Sequence, residues 1–462
     1  MNNPISYSNF MSGTDALMHA FETDPSMRTA GMGVFMLERP PDRKELTRRL
    51  ERLTRLVPRF RQKATEVPFG ISQPRFVVDP NFDLDYHIRW LALPAEAGIR
   101  DLFDYVQVQQ VQDLDKHRAP WEVTVISGLP DGKAALLFKS SHTVTDAVGG
   151  IAMLAPLFDD ADSDSNGADV DVPTPEDLSA RDLIVEGAGN EVRFAAQSAR
   201  SVGSKSLALV RDPLGSVKGA TRAIRSLAKV MGATGAQRSS IMCGRSLSVR
   251  CDRVVLPLDP MKKAATAGGG KLNDAFVAGA AGAMRLYHQL HHATLDDLTM
   301  IMPMNVRDAR TEHEAGNRWV VAKLAVPVAE PDPAKRIALI RERSLAARAE
   351  PGLLLFTNLS DIMTRIPTPL LLPLYKAGMM SGLDLGTSNV PGPPVVLKIC
   401  GQSVEQLFLY GPIGAVPANL TMVSYHEHLD IAVQTNNGAI PDGEAFMQCL
   451  RAGFDEVLAL SA

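Results

Sequence analysis

Two stretches of this chain place a histidine four residues ahead of an aspartate. "LLFKSSHTVTDAVGG", ending at Gly150, holds His142 and Asp146, while "HQLHHATLDDLTM" holds His292 and Asp296 with His291 beside them. A neutral imidazole suits removal of a hydroxyl proton near neutral pH, because its ordinary pKa of about 6.5 lies close to the working pH. Spacing does not choose between the two stretches, since such pairs arise often by chance. Taken alone it favours a plain loop histidine at His142 and an N-cap at Asp146.

The elements around each pair differ. "WEVTVISG", "LPDG" and "KAALLFKS" read as two β-rich runs joined by a Pro-Asp-Gly turn, so His142 lies just beyond a buried strand. "AVGGIAMLAPLF" follows with the apolar density of a helix. His292, by contrast, leaves a long small-residue helix, "LNDAFVAGAAGAMRLYHQL", and "HHATLDD" is its polar exit. Histidines near a helix C-terminus are favoured there by the dipole and need no further explanation.

The 462 residues suffice for two ordinary domains or three small ones; 45% of them are hydrophobic and 22% charged, a globular profile. A net charge of −4 gives no reason to expect nucleic acid. Cys243, Cys251, Cys400 and Cys449 form no CxxC pair and have no ligand-like histidine spacing, which argues against a disulfide framework or a metal site and fits a reducing cytoplasm. The N-terminus lacks the features of a signal peptide. "IPTPLLLPLYKAGMMSGL" is broken by Pro367, Pro369 and Pro373 and is too short to span a bilayer.

"DRKELTRRLERLTRLVPRF" has helical apolar spacing in the first part of the chain, and "DRVVLPLDP", "LTMIMPMNV", "NRWVVAKLAVPV", "GTSNVPG" and "LTMVSYHEHLDIAVQTN" supply strands in the last. Between them lie an acidic, Ser/Pro-rich linker and a basic segment that includes "PLGSVKGATRAIRSLAKVMG", a helix with Val217, Ile224, Leu227 and Val230 against a basic face. Two readings stand for that helix: a connecting element packed on its apolar side, or a surface helix docking on anionic lipid. The expected organisation is α/β, with an N-terminal domain over 1–180, a basic helical crossover over 181–250 and a C-terminal domain over 251–462. A ligand belongs in the cleft between them.

In order along the chain stand "MSGTDALMHAF" with Asp15, "PRFRQKATEVPFGISQPRFVVDPNFDLDYH" ending at His87, "APWE" with Trp121 and Glu122, "SSHTVTDA", Asn273-Asp274, Gly316-Asn317-Arg318 and "SNVPGP" from Ser388 to Pro393. Together these resemble the motifs of the bacterial wax ester synthase/diacylglycerol acyltransferase family, within the coenzyme A-dependent acyltransferases that share an HHxxxDG motif. The likeness spans nearly the whole chain. It departs from the pattern at Ser141 and Ala147, where the family has histidine and glycine, and at Ala119-Pro120, where it has Pro-Leu.

The resemblance implies two chloramphenicol-acetyltransferase-like domains with a cleft or tunnel between them. It also implies acyl transfer from acyl-coenzyme A, as co-substrate, to a lipid alcohol, with no further cofactor and no metal. In that scheme His142 is the general base and Asp146 orients the motif loop, with Arg307 its candidate ion-pair partner. Asn273, and Ser388 or Asn389, are candidates to face the oxyanion, although a helix-capping role for Asn273 is equally natural. Gly149 and Gly150 allow close approach of backbone or acyl chain, with helix packing as the alternative. Asp274 and Trp121 are expected supports. The expected setting is cytoplasmic, at the periphery of a membrane or lipid droplet. Two other readings remain open: the same fold acylating a different hydroxylated lipid, and a catalytically weak lipid-binding protein that keeps the scaffold.

Overall fold

A computed structural model describes residues 8–145, 147–159, 170–211, 236, 238–305, 319–350, 363–366, 368–412, 414 and 416–461. The first part of the chain supplies α1 (Gly13–Phe21), β1 (Ala30–Leu37), α2 (Arg43–Leu56), the short ribbon β2 (Gln62–Thr65) and β3 (Arg75–Val78), and α3 (Leu84–His87). It continues with β4 (Ile88–Ala92), α4 (Ile99–Val111), the hairpin β5 (Trp121–Ser127) and β6 (Ala134–Ser141), and α5 (Ala147–Met153). After the long helix α6 (Ala180–Arg211) come β7 (Val249–Pro257), α7 (Leu258–Ala267), α8 (Leu272–Leu290), β8 (Asp297–Asn305), β9 (Trp319–Pro327), α9 (Pro333–Arg348) and α10 (Thr368–Gly378). The last part holds β10 (Leu385–Pro391), β11 (Lys398–Ile399), β12 (Gln402–Tyr410), β13 (Ala418–Tyr425), β14 (His428–Asn436) and α11 (Gly443–Leu458).

The β1 sequence "GMGVFML" is apolar without a break because both of its faces are covered. Phe35 and Leu37 face one way and share a core with Leu46, Leu50 and Leu53 of α2. Met32, Val34 and Met36 face the other way, toward Leu102, Phe103 and Val106 of α4. The outer side of α2 carries pairs such as Glu45–Arg49 at 2.6 Å. Such pairs add roughly 0.3–0.5 kcal/mol each. Each buried leucine adds about 1.5–3 kcal/mol, so the apolar stripe decides where the helix sits.

Two six-stranded sheets result, one ordered β11-β12-β1-β6-β5-β4 and the other β7-β14-β13-β10-β8-β9. The second is antiparallel except at β10, which runs parallel to both β13 and β8. On it, α8 and α11 approach closely because glycines face each other. A Cβ on Gly279 would stand 2.2 Å from Phe454 Cδ1, and one on Gly453 would stand 2.4 Å from the Ala283 nitrogen.

The division into domains is not a cut in the sequence. Residues 398–410, counted above with the C-terminal domain, complete the first sheet, with Met32 paired to Tyr410. In exchange, Leu17, Met18 and Phe21 of α1 are buried in the core of the second sheet. The sheets meet where buried Asp430 of β14 accepts a hydrogen bond from the Leu407 nitrogen of β12 at 2.7 Å. Burial pushes that carboxyl up to about 7. The basic helix expected around Val217–Val230 lies outside the described residues. No helix among the described residues is long and apolar enough to cross a membrane.

Candidate active site

The β5–β6 hairpin turns through Pro130–Gly132, with Asp131 at φ 60° and Gly132 at φ 72°. β6 is hydrogen-bonded along its length to β1 on one side and β5 on the other, and Ser141 pairs with Ala30 as its last residue. A strand held on both edges has little freedom at its end. The chain then turns through His142 and Thr143, closed by the Val144 nitrogen donating to the Ser141 carbonyl at 3.0 Å, and α5 starts at Ala147. The half-buried His142 ring lies over Gly31: a Cβ there would stand 3.7 Å from Nε2 and 3.4 Å from the Tyr410 carbonyl oxygen. Glycine at position 31 therefore leaves space beside the imidazole. Asp146 and Arg307 lie outside the described residues, as does Gly316-Asn317-Arg318.

Beneath the hairpin, two of the motifs and Phe138 of β6 meet in one aromatic stack. His87 lies flat on Trp121, centroids 4.5 Å apart, and donates from Nδ1 to the Trp121 carbonyl at 2.7 Å. Trp121, buried, donates from Nε1 to the Phe60 carbonyl at 2.8 Å and touches the rings of Phe60 and Phe138. Burial lowers the His87 pKa, partly offset by its hydrogen bond to the Trp121 carbonyl, so this histidine is neutral and structural. Asp15 closes the start of α1 in a capping box with Ser12, the Ser12 hydroxyl donating to its carboxylate at 2.7 Å. Lys139, three residues before His142, reaches the C-terminal end of α4 and donates to the carbonyls of Gln109 and Gln112 at 2.7 Å each; burial draws its pKa down to about 8. The parts played by His87 and Lys139 have no spacing signal in the sequence.

From the second sheet, β10 pairs with β8 only at Leu385 and Gly386, while its pairing with β13 continues through Ser388 and Asn389 to Pro391. β8 and β10 thus part company where "SNVPG" begins. α5 packs on β10 there, and Val390 shares a buried cluster with Val144 and Met153. Ser388 is half-buried and Asn389 exposed. Of the two glycines on α5, Gly150 is not pressed by a neighbouring element: a Cβ there would meet only Thr145, at 3.4 Å.

The expectation that Asn273 caps its helix is corrected. Asp274 does this work, its carboxylate accepting from the Lys271 nitrogen at 2.8 Å and facing Arg341 at 3.5 Å. Asn273 sits one residue earlier, half-buried, and its Nδ2 donates to Met302 Sδ at 3.5 Å. A cavity of about 500 Å³ lies elsewhere, between α4, β7 and α11, lined by Arg100, Phe103, Asp252 and Arg253 among others. None of the expected site residues lines it.

The other histidine pair is arranged differently. His292 is exposed, with φ 53°, just past the end of α8, and Asp296 is exposed as well. The acid partner in that stretch belongs to His291, whose Nε2 meets Asp442 at 2.9 Å.

The family model for the wax ester synthase/diacylglycerol acyltransferase catalytic domain matches residues 11–276, and that for the WS/DGAT C-terminal domain matches 315–457. A Mycobacterium tuberculosis H37Rv protein named "Putative diacyglycerol O-acyltransferase" is 33% identical over 454 residues, covering 97% of this chain and 91% of that protein. Another from the same strain, named "Probable diacyglycerol O-acyltransferase", is 24% identical over 463 residues, covering 98% and 96%. The solved wax ester synthase/diacylglycerol acyltransferase from Marinobacter aquaeolei VT8 has the same fold, with a TM-score of 0.66 at 19% identity over 98% of this chain and all of that one. The first condensation domain of the calcium-dependent antibiotic synthetase shares the fold at a TM-score of 0.61 and 15% identity, over 99% of this chain and 97% of that one. With both of its domains matched in order across nearly all its length, the chain belongs to the wax ester synthase/diacylglycerol acyltransferase family and is an acyltransferase of that type.

Proposed function

We propose that this protein moves a long-chain acyl group from acyl-coenzyme A to the hydroxyl of a lipid alcohol, either diacylglycerol or a fatty alcohol, with His142 as general base. The observation that carries the reading is the His142 imidazole, held at the end of a doubly paired strand with Nε2 facing Gly31, where no side chain covers it. The hydroxyl comes in on that side. His142 takes its proton as the oxygen attacks the thioester carbonyl, and the tetrahedral intermediate then expels the coenzyme A thiolate, which receives the proton. No covalent enzyme intermediate is needed.

Asn273 is the first choice for steadying the oxyanion. Its present acceptor is a thioether sulfur, a weak partner that is cheaply given up. Ser388 and Asn389, beside the parting of β8 and β10, line the acyl group together with Gly149 and Gly150. Asp146 orients the motif loop through Arg307. The protein works at the periphery of a membrane or lipid droplet, where its water-insoluble substrates reside.

The test is thiol release from a long-chain acyl-coenzyme A, with diacylglycerol and a long-chain alcohol offered in separate assays. Acceptor-dependent release that His142→Ala removes is the expected result, and the faster acceptor names the product class. Release by His142→Ala at the wild-type rate would refute the assignment of the base.

A further inference from the structure

Ser141 immediately precedes His142 and stands where the family motif has its first histidine. It is 1% exposed, and every hydrogen-bonding position of its hydroxyl is filled. Oγ donates to Glu22 Oε1 at 2.5 Å, accepts from the Thr143 nitrogen at 3.1 Å, and lies 2.8 Å from Thr143 Oγ1. The same carboxylate oxygen of Glu22 accepts from Thr29 Oγ1 at 2.7 Å. Thr29 leads into β1, whose first residue, Ala30, pairs with Ser141. One oxygen of Glu22 therefore ties the entry to β1, the end of β6 and, through Ser141 and Thr143, both neighbours of His142.

Glu22 is itself held from the far side. It caps the C-terminus of α1, its nitrogen donating to the Met18 and His19 carbonyls. Helix α1 is seated on α10 of the second domain by contact of Phe21 with Tyr375, centroids 4.5 Å apart. Lys376 of α10 adds bonds to Asp24 and Ser26 just beyond Glu22.

We propose that Glu22 is a positioning residue for His142, acting through Ser141 and Thr143, and that it sets the imidazole according to how α1 is seated on the second domain. The inference rests on His142 being the base.

Steady-state kinetics of Glu22→Ala, Glu22→Gln, Ser141→Ala and the Glu22→Ala/Ser141→Ala double variant, run beside His142→Ala and with thermal midpoints, test it. Glu22→Ala and Ser141→Ala should each lower kcat ~10–100-fold while KM for the acyl donor stays within about twofold, the signature of a misplaced catalytic group. The double variant should be no worse than the poorer single one, because both cut one connection. Glu22→Gln should recover most of kcat, since an amide oxygen can accept the same two hydroxyl bonds.

Wild-type kcat in Ser141→Ala, additive losses in the double variant, or a Glu22→Gln as impaired as Glu22→Ala would each overturn the proposal. Should Glu22→Ala fail to fold, Ser141→Ala and Glu22→Gln decide the matter alone. Full activity in His142→Ala would instead overturn the base on which the proposal stands, whereas loss in His142→Ala with no change in Ser141→Ala removes the positioning role only.

Discussion

His142 follows the last residue of a strand bonded on both edges, and its ring faces a position without a side chain. His292 follows the exposed exit of a helix, and neither it nor Asp296 is covered by neighbouring elements. The two stretches have the same residue spacing and opposite surroundings. A strand end inside a sheet holds an imidazole against a position that carries no side chain. A helix end delivers histidines to its terminal carbonyls and to solvent, where His291 finds Asp442. Residue type and spacing name candidates, and the element that carries them decides which can do chemistry.

The largest expected effect compares the two histidines directly. His142→Gln should cost ~10²–10⁴-fold in kcat, while His292→Gln should stay within about twofold. Equal losses would erase the distinction. Crowding that position comes next. Gly31→Ala adds a Cβ at ordinary contact distance, 3.4 Å from the Tyr410 carbonyl, and should be tolerated. Gly31→Val pushes methyl groups toward Nε2 and should lower kcat ~10–100-fold with an unchanged melting point. No change in activity would mean that the reacting hydroxyl arrives from another side.

The third prediction concerns the junction that joins the two sheets. Asp430 binds a proton in the fold up to about pH 7, against an ordinary value of 3.8. Between about pH 4 and 7 the native state holds a proton that the unfolded chain has released, so this group costs stability increasingly as pH rises through that window. Asp430→Asn keeps an acceptor for the Leu407 nitrogen. It should match wild type below about pH 4 and exceed it by up to ~4 kcal/mol above pH 7, read from denaturant unfolding at a series of pH values. A constant difference across pH would show that the carboxyl is not protonated in the fold. The smallest effect belongs to the second region: His291→Ala breaks a pair whose side chains are both 36% exposed. It should cost under ~1 kcal/mol and leave turnover untouched.

Local features were legible in the sequence and distant ones were not. The Pro-Asp-Gly turn and the β-rich runs on either side marked the hairpin that carries His142. The leucine spacing marked α2, and the Ala/Gly density marked α8 as a closely packed helix. The pairing of β12 with β1 had no such mark, because a strand's alternation does not say which sheet it joins. The stack of Phe60, His87 and Trp121 joins two separate motifs, but contacts across such separations leave no spacing to read. Asn273 and Asp274 were distinguishable only by where the helix began. Glu22 gave no signal at all, since "HAFETDP" reads as an ordinary helix exit.

The reciprocal exchange between the two halves bears on how the molecule is made. As the chain emerges from the ribosome, β6 and its histidine appear early, yet β1 keeps one open edge until Gln402–Tyr410 arrives to pair with it. The apolar side of α1 likewise waits for the core formed by α8, α10 and α11. Neither half has all its native contacts without the other, so contacts of very long sequence separation are needed to complete either one. The histidine acquires its final neighbours only when nearly the whole polypeptide is free to close, which leaves a truncated chain with the residues of the candidate site but without the framework that positions them.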